Sequence, residues 1–216
     1  MEKKTINLKE ASFTQAINIS AQWCKEWGED LLSEEVLADR IAELTKTRNG
    51  LRGFFAYALS DKDCFLLDKL PFSLIYKLNE GGDAVTEIVV KNLIMSSAQI
   101  IIHRRENNDE YEMISENISN RCKAILRMLE TNLVTNTVNQ IIIHRRDNNH
   151  EYEITSENIS DRCKAILRLL ETKSVTKSVN QVLRDLDDMG NSFDNSVKYD
   201  SEQKEFIKKQ ILDIAQ

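Results

Sequence analysis

The chain has 216 residues, of which 41% are hydrophobic and 30% charged, and its formal net charge is −6. This composition excludes a disordered chain, and the negative charge excludes bulk attraction to nucleic acid or to an acidic membrane surface. Only one proline and six glycines occur, which favours long helices because both residues interrupt them.

The sequence predicts a cytoplasmic protein. Residues 1–7 are too polar for a signal peptide, and no apolar run approaches the roughly 18–20 residues that a membrane helix needs. The four cysteines, none of them in a CxxC pair, are Cys24, Cys64, Cys122 and Cys163. Without a secretion signal, we expect these thiols to be reduced.

The first half of the chain begins with two predicted helices. Apolar residues at helical spacing predict a helix over residues 9–27, where Trp23 and Trp27 lie one turn apart and anchor the core. A second helix is expected over residues 34–47, with Ser33 as its N-cap and Asn49–Gly50 as its end.

A small β-hairpin is expected next, near residues 53–67. The aromatic run from Gly53 to Leu59 is typical of a strand, and Cys64 to Leu67 could pair back after a polar turn. Pro71 then begins a short helix, and Asp83 caps a longer one from about Ala84.

A tandem repeat dominates the second half of the chain. Residues 99–139 and 140–180 align without a gap, and 31 of their 41 positions are identical. The second half of each unit has a heptad-like apolar stripe that predicts a helix. Residues 99–112 and 140–153 fit either a helix end or a β-hairpin turning at Asn107–Asn108, and we favour the helix.

The repeat length constrains the fold of each unit. In one continuous helix, 41 residues make about 11.4 turns, so a copied stripe would be rotated by roughly 140°. We therefore expect each copy to close on itself as a helical hairpin. Two alternatives are a second copy that forms an exposed arm, and copies that exchange partners between the chains of a dimer.

The expected fold is mainly α, in the α+β class: a helical bundle with the small hairpin and two helical-hairpin units. The expected division is an N-terminal helical region over residues 1–98, repeat units at 99–139 and 140–180, and C-terminal helices over 181–216. All four parts are expected to form one globular domain.

The repeat places two adjacent arginines after a histidine in each copy. These candidate anion-binding residues are His103, Arg104 and Arg105, and His144, Arg145 and Arg146. Paired guanidinium groups suit phosphate or carboxylate, and two copies would make a bivalent surface. The alternative interpretation, which we favour, is that the arginines pair with neighbouring acids such as Glu106 and Glu112.

The other polar and reactive residues of the repeat give weaker indications of a binding site. The basic set Arg121, Lys123 and Arg127, repeated in copy 2, could extend a nucleic-acid footprint. Cys122 and Cys163 lie on the apolar stripe and are expected to pack as small hydrophobic residues. The histidines lack the spacing of metal ligands, so no metal, cofactor or catalytic residue is expected.

Two stretches resemble a family of small uncharacterised cyanobacterial proteins. They are residues 48–55, with the sequence RNGLRGFF, and residues 89–97 followed by the HRRENN of residues 103–108. The resemblance covers about residues 10–130 and the C-terminal tail. It implies a cytoplasmic bacterial protein in which one copy of the unit is the norm, and it implies no catalytic residue.

The function that we expect is a non-enzymatic interaction or regulatory protein. Its amphipathic helical faces would bind a protein partner or a second copy of the chain. The alternatives are an anion or nucleic-acid binder using the duplicated His-Arg-Arg segments, and an enzyme without a recognisable signature.

Overall fold

The structure is a computed structural model that describes the backbone of residues 7–147 and 199–215, and the side chains of residues 7–129 and 199–214. These ranges contain eight α-helices, two short 3-10 helices at Leu8–Glu10 and Asp213–Ala215, and no strand. The α-helices are α1 Phe13–Gly28, α2 Glu34–Thr45, α3 Arg48–Ser60, α4 Leu66–Lys69, α5 Phe72–Glu80, α6 Gly82–Arg105, α7 Asp109–Asp147 and α8 Ser201–Leu212. The prediction of a mainly helical protein is confirmed.

Local capping explains where the first two helices begin. Ser12 and Gln15 form a reciprocal capping box at the start of α1. The Ser33 side chain accepts a hydrogen bond from the Val36 N–H at the start of α2, as its sequence predicts. Both predicted helices are therefore present, with ends that shift by a few residues.

The predicted β-hairpin over residues 53–67 is wrong, because this region forms α3, a short connection and α4. The buried apolar residues of α3 lie three, four, seven and eight positions apart, which is one face of a helix. They are Leu51, Phe54, Phe55, Ala58 and Leu59. Burial on that face outweighs the strand preference of the aromatic residues.

Two glycines in α3 allow helices to approach closely. A Cβ on Gly53 would lie 2.5 Å from the Cβ of Ala16 in α1, and a Cβ on Gly50 would lie 1.8 Å from the carbonyl oxygen of Leu44. The expectation that Asn49–Gly50 ends a helix is therefore wrong, because both residues lie inside α3.

Helices α6 and α7 form an antiparallel hairpin and make the most extensive contact among the described helices. Residues 106–108 make the turn, in which Asn107 has a left-handed backbone with φ of 53° and the Asn108 N–H donates to the His103 carbonyl. Residues 99–105 are thus the end of α6, which excludes the β-hairpin in copy 1, and the described residues 140–147 lie within α7.

The boundaries of the first repeat unit fall inside helices. Residue 99 lies in α6 and residue 139 in α7, so the unit supplies the end of α6, the turn and most of α7. The hairpin also includes the part of α6 that precedes the unit, and closure of each unit on itself stays a prediction. The prediction for the second copy falls mostly on residues 148–180, outside the described residues.

One hydrophobic cluster joins the described parts of the chain, from Ala11 in the N-terminal region to Ile214 after α8. Helix α6 lies within this cluster and packs on α7, α8, α3 and α5. By length and composition α6 alone among the described helices could cross a membrane, with a mean hydropathy of 1.4. In this structure 61% of that apolar stretch is buried, as in a core helix.

Candidate functional site

A buried arginine in the middle of α7 makes the densest polar contact of the described structure. Arg121 is 8% exposed, and its Nε and Nη2 donate to the two carboxylate oxygens of Asp68 at 2.8 and 2.6 Å. The same guanidinium donates to four backbone carbonyls at 2.9 to 3.1 Å, those of Ala58, Leu59, Asp61 and Cys64. We call these five acceptor residues the Arg121 seat.

The chemistry of the seat follows from the end of α3. The last carbonyls of a helix have no partner within the helix and carry partial negative charge, so a cation is favourable there. Arg121 supplies both the donors and the charge, and its planar fork also matches the Asp68 carboxylate. The seat therefore fixes α7 against the α3–α4 segment.

The opposite side of α7 is held by ion pairs with α8 and the turn after it. Lys123 Nζ lies 2.8 Å from Gln210 Oε1 and 3.3 Å from Asp213 Oδ2. Arg127 Nη2 donates to the Asp213 carbonyl at 2.7 Å. Lys123, and then Arg127, hold the pKa of the Asp213 carboxyl below its usual value.

The first His-Arg-Arg segment is bound to carboxylates of the chain itself. Arg104 pairs with Glu112 and Glu116, and Arg105 pairs with two acids at the start of α8, Asp200 and Glu202. Arg105 lowers the pKa of the Asp200 carboxyl to about 2. These contacts agree with the favoured interpretation that the arginines pair with acids of the same chain.

His103 does not share the ion pairs of Arg104 and Arg105, and the second His-Arg-Arg segment lies far from the first. The His103 ring lies 5.6 Å from that of Tyr111, and its Nδ1, 3.7 Å from Glu106, has no hydrogen bond in the described structure. Residues 144–146 lie at the end of α7, about 50 Å along the helix axis from the turn. The structure therefore does not bring the two segments together, and anion binding by them stays a prediction.

Copy 2 repeats every residue that is buried within the described part of copy 1, residues 99–129. Nine residues of copy 1 are buried among the described side chains: Ile100, Ile101, Ser115, Ser119, Arg121, Cys122, Ile125, Leu126 and Leu129. Copy 2 has the same residues at Ile141, Ile142, Ser156, Ser160, Arg162, Cys163, Ile166, Leu167 and Leu170. The differing positions with described side chains are exposed or half-buried: Glu106, Asp109, Met113, Ile114, Asn120 and Met128.

The ion-pairing residues of copy 1 are repeated as well. Arg104, Arg105, Lys123 and Arg127 correspond to Arg145, Arg146, Lys164 and Arg168. The residues that they contact outside the unit, such as Asp200 and Asp213, have no second copy in the sequence, and neither has Asp68, the partner of Arg121. The sequence thus contains two nearly identical segments for one seat.

The chain matches a family model described as Uncharacterised conserved protein UCP020893 over residues 12–142 and 138–214. The chain belongs to this family. The expected membership of an uncharacterised family is confirmed, whereas cyanobacterial origin stays an expectation. The two matched stretches overlap at residues 138–142, which include the boundary between the two repeat copies. No curated protein and no solved structure matches the chain.

The sequence pattern assigned Arg121 to a basic set for nucleic-acid contact and gave no indication that its side chain is buried. The available signal was its position three residues after Ile118 and next to Cys122, on the apolar stripe. Four of its five acceptors are backbone carbonyls, which have no sequence signature. Within the described ranges, no group of three or more His, Cys, Asp or Glu residues could hold a metal ion.

An open cleft of about 640 Å³ lies between the α2–α3 corner and α6. Its lining contains one carboxylate, Glu87, which pairs with Lys91, and it contains neither histidine nor cysteine. These lining groups offer neither a nucleophile with an adjacent base nor a pair of carboxylates for acid–base catalysis.

Proposed function

We propose that this protein is a non-enzymatic interaction protein, and that its partner is a second copy of the same chain. In the proposed complex, copy 2 of one molecule occupies the Arg121 seat of another. The observation that carries the proposal is the identity of all nine buried positions between the two copies.

The contacts of copy 1 define what copy 2 can bind. In the proposed complex Arg162 takes the position of Arg121 and needs a carboxylate and the carbonyls of a helix end, and Cys163, Ile166 and Leu167 would be buried with it. The Arg121 seat offers this combination, and every other molecule of the same chain has such a seat. Binding between two copies of the chain therefore needs no binding surface other than the seat.

The exchange also sets the strength of association. Copy 1 and copy 2 make equivalent contacts, so exchange between two chains gains little contact energy and must overcome the entropy lost on association. Association should therefore be weak and depend on concentration. Reciprocal exchange closes a symmetric dimer, and one-way exchange leads to larger assemblies.

Light scattering after size-exclusion chromatography tests the proposal over a range of protein concentrations. The full chain is expected to form dimers as concentration rises. A chain lacking residues 140–180 should stay monomeric, because it has one helix for one seat. The matched point variant is Arg162→Ala, which leaves copy 1 and the seat intact and should also remain monomeric.

Two results would contradict the proposal. One is a full chain that is monomeric at every concentration. The other is a dimer that persists unchanged in Arg162→Ala and in the deletion, since it would then use another surface.

A further inference from the structure

Four cations and one carboxylate line the open cleft between the α2–α3 corner and α6. Arg48 and Arg52 lie one turn apart on α3, Lys91 lies on α6, and Lys46 lies at the corner between α2 and α3. The carboxylate is that of Glu87 on α6. The lining is therefore positively charged, although the chain as a whole has a formal net charge of −6.

The two arginines of the cleft differ from the other arginines whose side chains the structure describes. Each of the others pairs with a carboxylate of the chain: Arg40, Arg104, Arg105, Arg121 and Arg127. Arg48 and Arg52 make no ion pair with a described carboxylate. The Arg52 guanidinium lies 5.3 Å from the centre of the Phe13 ring, which orients the guanidinium without cancelling its charge. Both arginines therefore keep their charge for a ligand.

The two lysines of the cleft are held only by exposed ion pairs. Lys46 pairs with Glu43, and Lys91 pairs with Glu87, with side chains that are 39% to 68% exposed. Exposed ion pairs of this kind contribute little to stability. A more highly charged anion can therefore compete with these carboxylates for the two ammonium groups.

The corner that carries Lys46 is fixed by contacts within the chain. The Thr47 side chain accepts a hydrogen bond from the Gly50 N–H at 3.0 Å, and the Thr45 hydroxyl donates to the Ile41 carbonyl at 2.9 Å. A ligand that binds at this corner does not have to order its backbone, which reduces the entropy lost on binding.

We propose that this cleft binds the diphosphate group of a small anion, either inorganic pyrophosphate or a nucleoside diphosphate. Arg48 and Arg52 share one face of α3, because they are four residues apart. Guanidinium groups bind phosphate oxygens through two parallel hydrogen bonds, and Lys46 and Lys91 add charge. Two linked phosphate groups match four cations better than one does, since a single phosphate carries at most about two negative charges.

The size of the cleft suits a small ligand. Its volume of about 640 Å³ lies within the range of roughly 300–1,000 Å³ that is typical of small-molecule sites. Leu51 and Ile88 also line it, so the organic part of a nucleotide would find apolar contacts beside the cations. None of the lining residues belongs to the Arg121 seat, so this binding does not depend on the proposed self-association.

Isothermal titration calorimetry of the full chain tests the proposal in magnesium-free buffer at low salt. The probes are inorganic pyrophosphate, ADP and inorganic phosphate. We expect pyrophosphate and ADP to bind at one site per chain, and inorganic phosphate to bind about tenfold more weakly or less. Tighter binding of ADP would identify the ligand as a nucleotide, and tighter binding of pyrophosphate would identify it as the free diphosphate.

Two double variants that each remove two positive charges locate the site. Arg48→Gln with Arg52→Gln should weaken pyrophosphate binding by about tenfold or more, because hydrogen bonds to charged groups are lost. Lys25→Gln with Arg40→Gln is the matched control, since these residues lie on α1 and α2 outside the cleft. The control should keep the affinity of the unmodified chain. Circular dichroism establishes that both double variants fold.

A measurement on the unmodified chain stands without the variants. Affinity for pyrophosphate should fall as salt rises, because salt screens the attraction between exposed charges. The proposal is overturned if neither diphosphate binds at low salt, if salt has no effect, or if inorganic phosphate binds as tightly as pyrophosphate. It is equally overturned if both double variants lose the same affinity, or if the cleft variant loses none.

Discussion

Helix α7 is held on its two sides by the same kinds of charged group in very different settings. On the α3–α4 side, one buried guanidinium makes six hydrogen bonds. On the α8 side, an exposed pair such as Arg127–Asp213 joins α7 to the turn after α8, with both side chains 47% exposed. Exposed ion pairs contribute little to stability, whereas removing one partner of a buried pair is costly. The contribution of a charged group to the stability of the fold therefore depends on whether it is buried or exposed.

The largest effect is expected from emptying the seat. Replacing both Arg121 and Arg162 by alanine leaves Asp68 and four carbonyls without their donor. The free energy of unfolding should fall by about 3 kcal/mol, the lower end of the range for a broken buried pair. The lower end applies because the Asp68 side chain is 45% exposed. Urea denaturation measures the loss.

The single variant Arg121→Ala provides the informative control for that measurement. If copy 2 can enter the seat, the single variant should lose clearly less stability than the double variant. Equal losses would mean that copy 2 does not replace copy 1.

The second effect concerns α3, whose end forms the seat. Gly53→Ala should destabilise the chain by about 1–3 kcal/mol, because the added Cβ would lie 2.5 Å from that of Ala16 and α3 must move away from α1. Gly28→Ala is the matched control, since a Cβ there meets nothing within 4 Å. Similar thermal melts for the two variants would refute the close-packing role of Gly53.

A smaller effect is expected when the seat loses only its charge. Asp68→Asn keeps an acceptor for Arg121 but removes the carboxylate, and should cost about 1.5 kcal/mol, as for hydrogen bonds to charged groups. Urea denaturation again measures it. A loss as large as that of the double arginine variant would show that Asp68, and not the carbonyls, holds Arg121.

The smallest effect is expected on the exposed side. The folded-state pKa of Asp200 is lowered from 3.8 to about 2, so its contribution is present above pH 4 and disappears as the pH falls from 3.8 towards 2. Asp200→Asn retains a good N-cap for α8 and should flatten this part of the stability profile. Thermal melts between pH 2 and pH 6 measure the difference. High salt should reduce it, and an effect that salt leaves unchanged would argue against an exposed ion pair.

Local sequence signals predicted the fold where local contacts decide it. Ser33 caps α2 through a contact three residues away, and Pro71 precedes α5 as its sequence suggests. The predicted hairpin over residues 53–67 failed because the aromatic run from Gly53 to Leu59 was interpreted as a strand, although its buried residues follow a helical spacing. A glycine is needed at position 53 because Ala16 of α1 packs against it, and nothing in the sequence near Gly53 indicates that contact.

In the candidate site, too, contacts between residues near in the sequence could be predicted, and contacts between distant residues could not. The pairing of Arg104 with Glu112 was anticipated, because Glu112 is one of the acids that lie near the arginines in the sequence. The pairing of Arg105 with Asp200 joins residues 95 positions apart and could not be anticipated. The seat was missed for a chemical reason: every residue has a carbonyl, so only the fold reveals which carbonyls lack a partner.

The Arg121 seat also bears on how the chain is made. Ribosomes synthesise proteins from the N-terminus, so the carbonyls of Ala58 and Leu59 appear about 60 residues before the guanidinium that satisfies them. A nascent chain that stops short of Arg121 leaves these carbonyls to water. We therefore expect the end of α3 to reach its final packing only after α7 has emerged from the ribosome.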